Sequence, residues 1–287
     1  MNKIYDLWRR RKWRRNDAER ERLEATRPAT VITGGSEGIG LALAQEFAKR
    51  RATVVLIARN EDKLSAAKLK LAEHSAQIHT IALDITEANA CEALIAQLHR
   101  LGLHVHELIN NAGIGLYGPY AEQSSKDIDQ LINLNITALS RLCRAVLPDM
   151  LLRGRGGIIN IASIGGLTPG PYMAAYYASK AYVVSLSRAL AYETRGMGLT
   201  ISCVVPGPVD TNFHQRIASE DAYYRRFLFG MSAESVARYS LLGYSLCLKL
   251  IVPGMLNTLL AVLLSVLPVG LTLPVVAFLT EPRDKPL

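Results

Sequence analysis

ATVITGGSEGIG, residues 29–40, decides the fold. A β-branched run enters a glycine-rich turn, and an apolar helical pattern, LALAQEFAK (41–49), leaves it. Glycine lets backbone N–H groups come close to a phosphate, and a helix N-terminus carries partial positive charge toward it. Alone, such a turn is a weak signal; its setting strengthens it. Outward from it, the runs TVVLIA (53–58), QIHTIAL (77–83), HELIN (106–110), GIIN (157–160) and TISCVV (200–205) alternate with helical stretches at 38–50, 61–74, 88–101, 126–152 and 174–195. Strands alternating with helices argue for βαβ units and a parallel sheet. Near-continuous apolar strands fit a sheet covered on both faces. The expectation is an α/β fold: a doubly wound Rossmann-type sheet of about seven mostly parallel strands, with helices on both faces and ligand at the carboxyl ends of the strands.

Of the 287 residues, 49% are apolar and 20% charged, enough for a sizeable core and unlike a disordered chain. The net charge is +8, but residues 1–27 hold ten Lys/Arg against five Asp/Glu. The charge therefore describes a basic arm more than the domain. Four cysteines lie 44 to 60 residues apart, without metal-ligand spacing, and read as buried free thiols. His104 and His106 flank Val105 at strand spacing and read as surface or strand-edge residues, with no metal implied. The start, MNKIYDLWRRRKWRR, has no apolar run of signal-peptide length, so a cytoplasmic location is expected.

If the turn holds a dinucleotide, the second strand should declare which one. An NAD site usually carries an acid near its end, on the ribose 2′-hydroxyl. Here the strand ends Leu56-Ile57-Ala58-Arg59, with Ala58 in the acid's place. A guanidinium suits a 2′-phosphate through two hydrogen bonds, so Arg59 points to NADP(H).

Chemistry gathers further along. Tyr176 and Lys180 stand four apart in the helix that follows GIINIAS, and so share one face. A phenol is a poor acid/base at neutral pH, and a nearby ammonium lowers its pKa. Ser163, at the end of the preceding strand, could donate to a substrate oxygen. Tyr177 is the rival phenol, but its three-residue offset from Lys180 puts it off that face.

In combination these features resemble the short-chain dehydrogenase/reductase family. Thr33-Gly-x3-Gly38-Ile39-Gly40 resembles its cofactor motif, which includes Gly34 and Ser36 here. Asn110-Asn111-Ala112-Gly113 resembles its fourth-strand motif, and Asn135 in NLNITAL its catalytic asparagine. Ser163 and Tyr176 stand 13 apart, as in the family, with Lys180 following. Pro206-Gly207-Pro208-Val209-Asp210-Thr211 resembles the segment over the nicotinamide, and Asp84 the adenine-contacting aspartate. The resemblance covers about residues 28–253. It implies a carbonyl or alcohol substrate, a homo-oligomer, and a proton relay. Tyr176 would protonate the carbonyl oxygen, Lys180 would hold the ribose and lower the phenol pKa, Ser163 would polarise the carbonyl, and Asn135 would hold a water linking Lys180 to solvent. A non-catalytic NADP(H)-binding regulator and a membrane scaffold with a vestigial domain are the competing readings.

Specificity should reside in residues 208–250, where Phe213, Tyr223, Tyr224, Phe227 and Phe229 interleave with Arg216, Arg225 and Arg226. Such a lid suits an amphipathic substrate with an acyl-like tail. Residues 250–280 contain no charge and no His. They exceed the length of a membrane helix, but Pro268 and Pro274 break them. A similar tail, entered by a Val-Pro-Gly-x-x-Asn segment like Val252–Asn257, occurs in some bacterial members of the family. So large an apolar stretch must be covered by its own domain, a second subunit or lipid. With a basic, Trp-bearing arm at the other end, the expectation is peripheral or monotopic membrane attachment through residues 255–279. No nucleic-acid fold accompanies the basic run, so nucleic acid is not an expected partner. The chain thus divides into an arm (1–27), a catalytic domain (28–253) and an apolar extension (254–287).

Overall fold

A computed structural model describes residues 21, 25–74, 76–213 and 230–282. Most of the basic arm and the aromatic–basic stretch 214–229 lie outside the described residues. The first half runs β1 (Arg27–Thr33), α1 (Gly38–Lys49), β2 (Val54–Ala58), α2 (Glu61–Leu71), β3 (Ile78–Ala82), α3 (Ala90–Arg100) and β4 (Leu103–Asn110). The second runs α4 (Ser125–Ile132), α5 (Leu139–Arg153), β5 (Gly156–Ile161), α6 (Ala174–Glu193) and β6 (Leu199–Val204). A two-residue pair, β7 (Val209–Asp210) and β8 (Met231–Ser232), precedes α7 (Ala233–Ser245) and β9 (Leu250–Ile251). Two helices close the chain, α8 (Met255–Val266) and α9 (Val269–Thr280).

Seven strands form one sheet in the order β3-β2-β1-β4-β5-β6-β9, and every neighbouring pair is parallel. The chain winds outward from β1 in one direction and from β4 in the other. Between these two strands the connections part, which opens a crevice at their carboxyl ends. Alternate side chains serve opposite faces. Val31, Leu108 and Ile158 enter one core with Leu94, Leu142 and Val183. Ile32, Ile109 and Ile159 enter the other with Leu43, Phe47 and Val236.

Four local readings of the sequence change. β4 begins at Leu103, three residues before the run HELIN. It lies between β1 and β5, so His104 is buried in the middle of the sheet and not at its edge or surface. Burial and the nearby Arg153 guanidinium lower the His104 pKa to about 4, so the ring is neutral. The helix expected over 126–152 is interrupted: the backbone widens into a π-type turn over Asn133–Ala138 between α4 and α5. Cys143 and Cys203 are buried thiols, whereas Cys247 is exposed.

Packing is close where β5 meets α7 and β6. A Cβ at Gly157 would overlap the Tyr244 hydroxyl and the Thr200 carbonyl. Gly157→Ala should therefore destabilise the fold by about 1–3 kcal/mol, the usual cost of overpacking. A lower urea midpoint with an unchanged slope is the expected result.

Candidate active site

The glycine turn is locked to the end of β4. Asn111 Nδ2 donates to the carbonyls of Thr33 (3.0 Å) and Gly34 (3.1 Å). Thr33 Oγ1 accepts from the amides of Asn111 (3.0 Å) and Ala112 (3.1 Å). Gly34 and Gly38 take positive φ, +62° and +55°, a region that L side chains rarely adopt. A Cβ at Gly40 would collide with the Gly34 carbonyl oxygen and Asn111 Nδ2. Helix α1 starts against this turn, and its N-cap, Glu37, makes no side-chain capping bond. The first-turn residues Gly38 and Ile39 line a cleft of about 1380 Å³ that runs along the carboxyl edge of the sheet.

Behind the cleft wall, the π-type turn buries Asn135, which does not itself line the cleft; such insertions are frequent at functional sites. Asn135 is 2% exposed. Its Oδ1 accepts from the Ile114 amide (2.9 Å), and its Nδ2 donates to the Ile114 carbonyl (2.8 Å) and Ser179 Oγ (3.0 Å). Ser179 Oγ in turn donates to the Tyr176 carbonyl (2.7 Å). The loop after β4 and the first turns of α6 are thereby clamped together.

Lys180 is 6% exposed, with Nζ donating to the Ile161 carbonyl at 3.0 Å and lying 5.8 Å from the Tyr176 ring centroid. Burial lowers its pKa to about 8. Space is kept for this cation: a Cβ at Gly113 would stand 3.3 Å from Nζ and 3.2 Å from Asn135 Oδ1. Ser163 Oγ accepts from the Gly165 amide (3.1 Å) and lines the cleft with Tyr176. Tyr177 also lines it, but its ring is packed against Gly165 and Gly170.

At the far end, the Arg59 guanidinium stands 3.8 Å from the Asp84 carboxylate, an exposed and weak pair. Partial burial pushes the Asp84 pKa upward, but hydrogen bonds from Thr86 and the charge of Arg59 prevail and hold it below the usual value. Lys63 was not singled out from sequence. It lies in the first turn of α2, lines the cleft beside Arg59 and pairs with Glu37 at 3.1 Å.

Pro206, Gly207, Val209 and Thr211 line the middle of the cleft. A Cβ at Gly207 would meet the Asn257 side chain, whose Nδ2 donates to the Pro253 carbonyl at 2.9 Å. The Val-Pro-Gly-x-x-Asn segment thus seats the extension directly on the Pro-Gly turn. Sequence reading found that segment but not its contact, which joins residues 50 apart.

The family profile for short chain dehydrogenase matches residues 28–222. This chain belongs to the short-chain dehydrogenase family. Within the family it is 36% identical over 186 residues to the very-long-chain 3-oxoacyl-CoA reductase of Bos taurus, covering 63% of this chain and 59% of that protein. It is 34% identical over 184 residues to the ketoacyl reductase HetN of a Nostoc species, covering 64% of each chain. The chain thus spans less than two thirds of the length of these curated relatives. A short-chain dehydrogenase from Sphingobium yanoikuyae, solved in complex with NADPH, superposes with a TM-score of 0.73 at 30% identity, covering 84% of this chain and 96% of that one.

Burying Lys180 has a stability consequence with a definite sign. Between about pH 8 and the unfolded value of 10.5, the unfolded chain binds more protons at this site than the folded one. Wild type should therefore gain stability relative to Lys180→Met as pH rises through that window, by roughly 3 kcal/mol in the limit of the full shift. Urea titrations of both proteins across the window measure the difference; a flat difference would mean that Lys180 is not strained by burial.

Proposed function

We propose that this protein is an NADP(H)-dependent oxidoreductase that interconverts a carbonyl and an alcohol, most naturally on a lipid-like substrate. The observation that carries this reading is a buried lysine ammonium held beside a cleft-lining tyrosine, between a glycine turn and an apolar wall. NADPH supplies the hydride when bound. The residues present fit such a dinucleotide: Gly34 and Gly38 keep the turn free of side chains, Gly113 keeps room beside Lys180, and Arg59 offers a guanidinium for the 2′-phosphate. The NADPH in the Sphingobium structure and the reductase names of the two relatives support the same assignment.

In reduction, the substrate carbonyl carbon accepts the hydride while its oxygen takes the phenolic proton of Tyr176. Hydride and proton add across the C=O bond and the ketone becomes an alcohol; NADPH held at the glycine turn would supply the hydride and leave as NADP+. Lys180, charged at neutral pH, stabilises the phenolate left behind. Ser163 receives an amide hydrogen on one lone pair and keeps its own proton for the substrate oxygen. Asn135 holds the loop and helix that set these groups, and in the relay it positions the water that returns a proton through Lys180. Asp84 would hold the adenine, and Asn111, Ala112, Gly113 and the 206–211 segment would hold the nicotinamide half.

On this reading residues 28–253 are the catalytic domain. Residues 254–287 attach it to the cytoplasmic side of a membrane, and the basic arm, 1–27, meets anionic headgroups. Support for attachment comes from the exposed apolar residues of α8 and α9, among them Met255 (89%), Val266 (75%) and Leu271 (65%). Like its family, the protein works as a homo-oligomer.

Tyr176→Phe keeps the ring and removes the proton. Its kcat should fall at least ~100-fold, the usual scale for losing an acid/base group, with NADPH affinity unchanged. Tyr177→Phe is the control, expected to stay active; near-normal turnover of Tyr176→Phe would refute the relay.

Arg59→Ala should weaken NADPH by roughly 1.5–3 kcal/mol, as for a lost charge-assisted hydrogen bond, and leave NADH unaffected. Titration calorimetry decides it, and equal wild-type affinity for the two cofactors would remove Arg59 from the site.

A further inference from the structure

The closing helices are built inside out. Their buried positions are small or polar: Asn257 and Ala261 on α8, and Thr272, Val276 and Thr280 on α9. Their exposed positions are large and apolar, including Leu256, Leu259, Val262, Val266, Val269 and Phe278. The hydroxyls of Thr258, Ser265, Thr272 and Thr280 all donate to carbonyls of their own helix or its N-terminal approach. A protein partner would ordinarily meet a polar rim and hydrogen-bonding groups. This face offers neither, and hydroxyls satisfied within their own helix suit a hydrocarbon medium.

Charge and length point the same way. No charge occurs from 250 to 280, and the charges beside it, Lys249 before and Glu281, Arg283, Asp284 and Lys285 after, stand outside the apolar stretch, where headgroups and water would meet them. Each helix has 12 residues, about 18 Å long at the usual rise. No helix among the described residues is long and apolar enough to cross a membrane. Half a bilayer core, roughly 15 Å, is the depth that helices of this length fit.

The same helices wall the cleft. Leu260, Leu264, Val276 and Leu279 line it, and Leu279 packs in one cluster with Met173, Tyr176 and Phe213. Leu263, Leu267, Leu271 and Val275 line the cleft and are also exposed. The rim of the cleft therefore opens onto the apolar face itself.

We infer that α8 and α9 form a lateral portal: both helices lie in one leaflet, and a long-chain ketone or alcohol slides from the bilayer into the cleft with its reactive end toward Tyr176. This rests on the proposed reductase activity and names its substrate class and its route of entry.

The test uses full-length protein, NADPH, and two ketones: soluble ethyl acetoacetate, and ethyl palmitoylacetate carried in phosphatidylglycerol–phosphatidylcholine vesicles. Each methylene taken from water favours binding about fourfold, so wild type should prefer the long ketone by at least about 100-fold in kcat/KM. It should also float with the vesicles. The triple variant Leu259→Glu/Val262→Glu/Val266→Glu alters exposed positions that do not line the cleft. It should stop floating and lose at least about tenfold on the vesicle-borne ketone. Its turnover of ethyl acetoacetate should stay at the wild-type rate, which shows that it is folded. If wild type reduces neither ketone, the catalytic reading fails and the portal with it. If it reduces the short ketone without preferring the long one, or if the triple variant uses the vesicle-borne ketone as well as wild type does, the portal is wrong and the reductase stands. A wild type that stays off vesicles as a dimer, made monomeric by the triple variant, would assign the face to a second subunit and overturn the inference.

Discussion

Around the Lys180 ammonium the carboxyl end of the sheet is organised by a single constraint: a charge kept from water must be met by fixed dipoles. Its pKa of about 8 measures how far burial has gone. The Ile161 carbonyl, at the last residue of β5, accepts one of its protons, so the strand must end where the ammonium arrives. Gly113, beyond β4, must lack a side chain for Nζ to fit. Gly166 is held likewise, because a Cβ there would press on the Lys180 carbonyl. Two strands and a helix thus meet at one cation, and a 3₁₀ turn (Ile164–Leu167) packs on the backbone of the residue that carries it.

Behind the cation, a buried polar chain keeps α6 from sliding on the sheet. Asn110 and Asn160 are register partners on β4 and β5, and Asn110 Nδ2 donates to Asn160 Oδ1 at 2.9 Å. Asn160 Nδ2 donates to Ser187 Oγ, also at 2.9 Å, and Ser187 Oγ donates to the Val183 carbonyl within α6. Apolar packing alone is non-directional and tolerates small slips. Hydrogen bonds of this kind do not, and a slip would leave buried groups unpaired at about 1–3 kcal/mol each. Since Tyr176 and Lys180 ride on the same helix, the chain that fixes Ser187 also fixes them.

What could be read from sequence follows the range of each signal. The first six strands are β-branched runs, whose identity is local, and the glycine turn and Tyr-x-x-x-Lys carry their geometry in adjacent residues. β9 has two residues, Leu250 and Ile251, and exists because β6 offers an open edge; nothing local marks it. The π-type turn at Asn135 is invisible because NLNITAL has an ordinary helical composition. His104 looks like an edge residue until the strand order places β4 in the middle. The Asn257–Gly207 contact and the reach of Leu279 toward Tyr176 join segments that the chain brings together only through the completed sheet.

The extension then ceases to be an appendage. Asn257 rests on Gly207, in the segment that lines the middle of the cleft, and the following turns of α8 and α9 supply the cleft's apolar wall. A movement of α8 would be felt at Gly207, because the Asn257 side chain occupies the space where a Cβ would stand. A wall borrowed from outward-facing helices couples two properties that most enzymes keep apart. The medium that accepts the outer face also sets the polarity at the cleft mouth. In water the exposed Leu263 of α8 and Leu271 and Val275 of α9, which all line the mouth, would favour withdrawing from solvent and so drawing it closed. In hydrocarbon that pressure vanishes, and the mouth can stand open beside molecules as apolar as its rim.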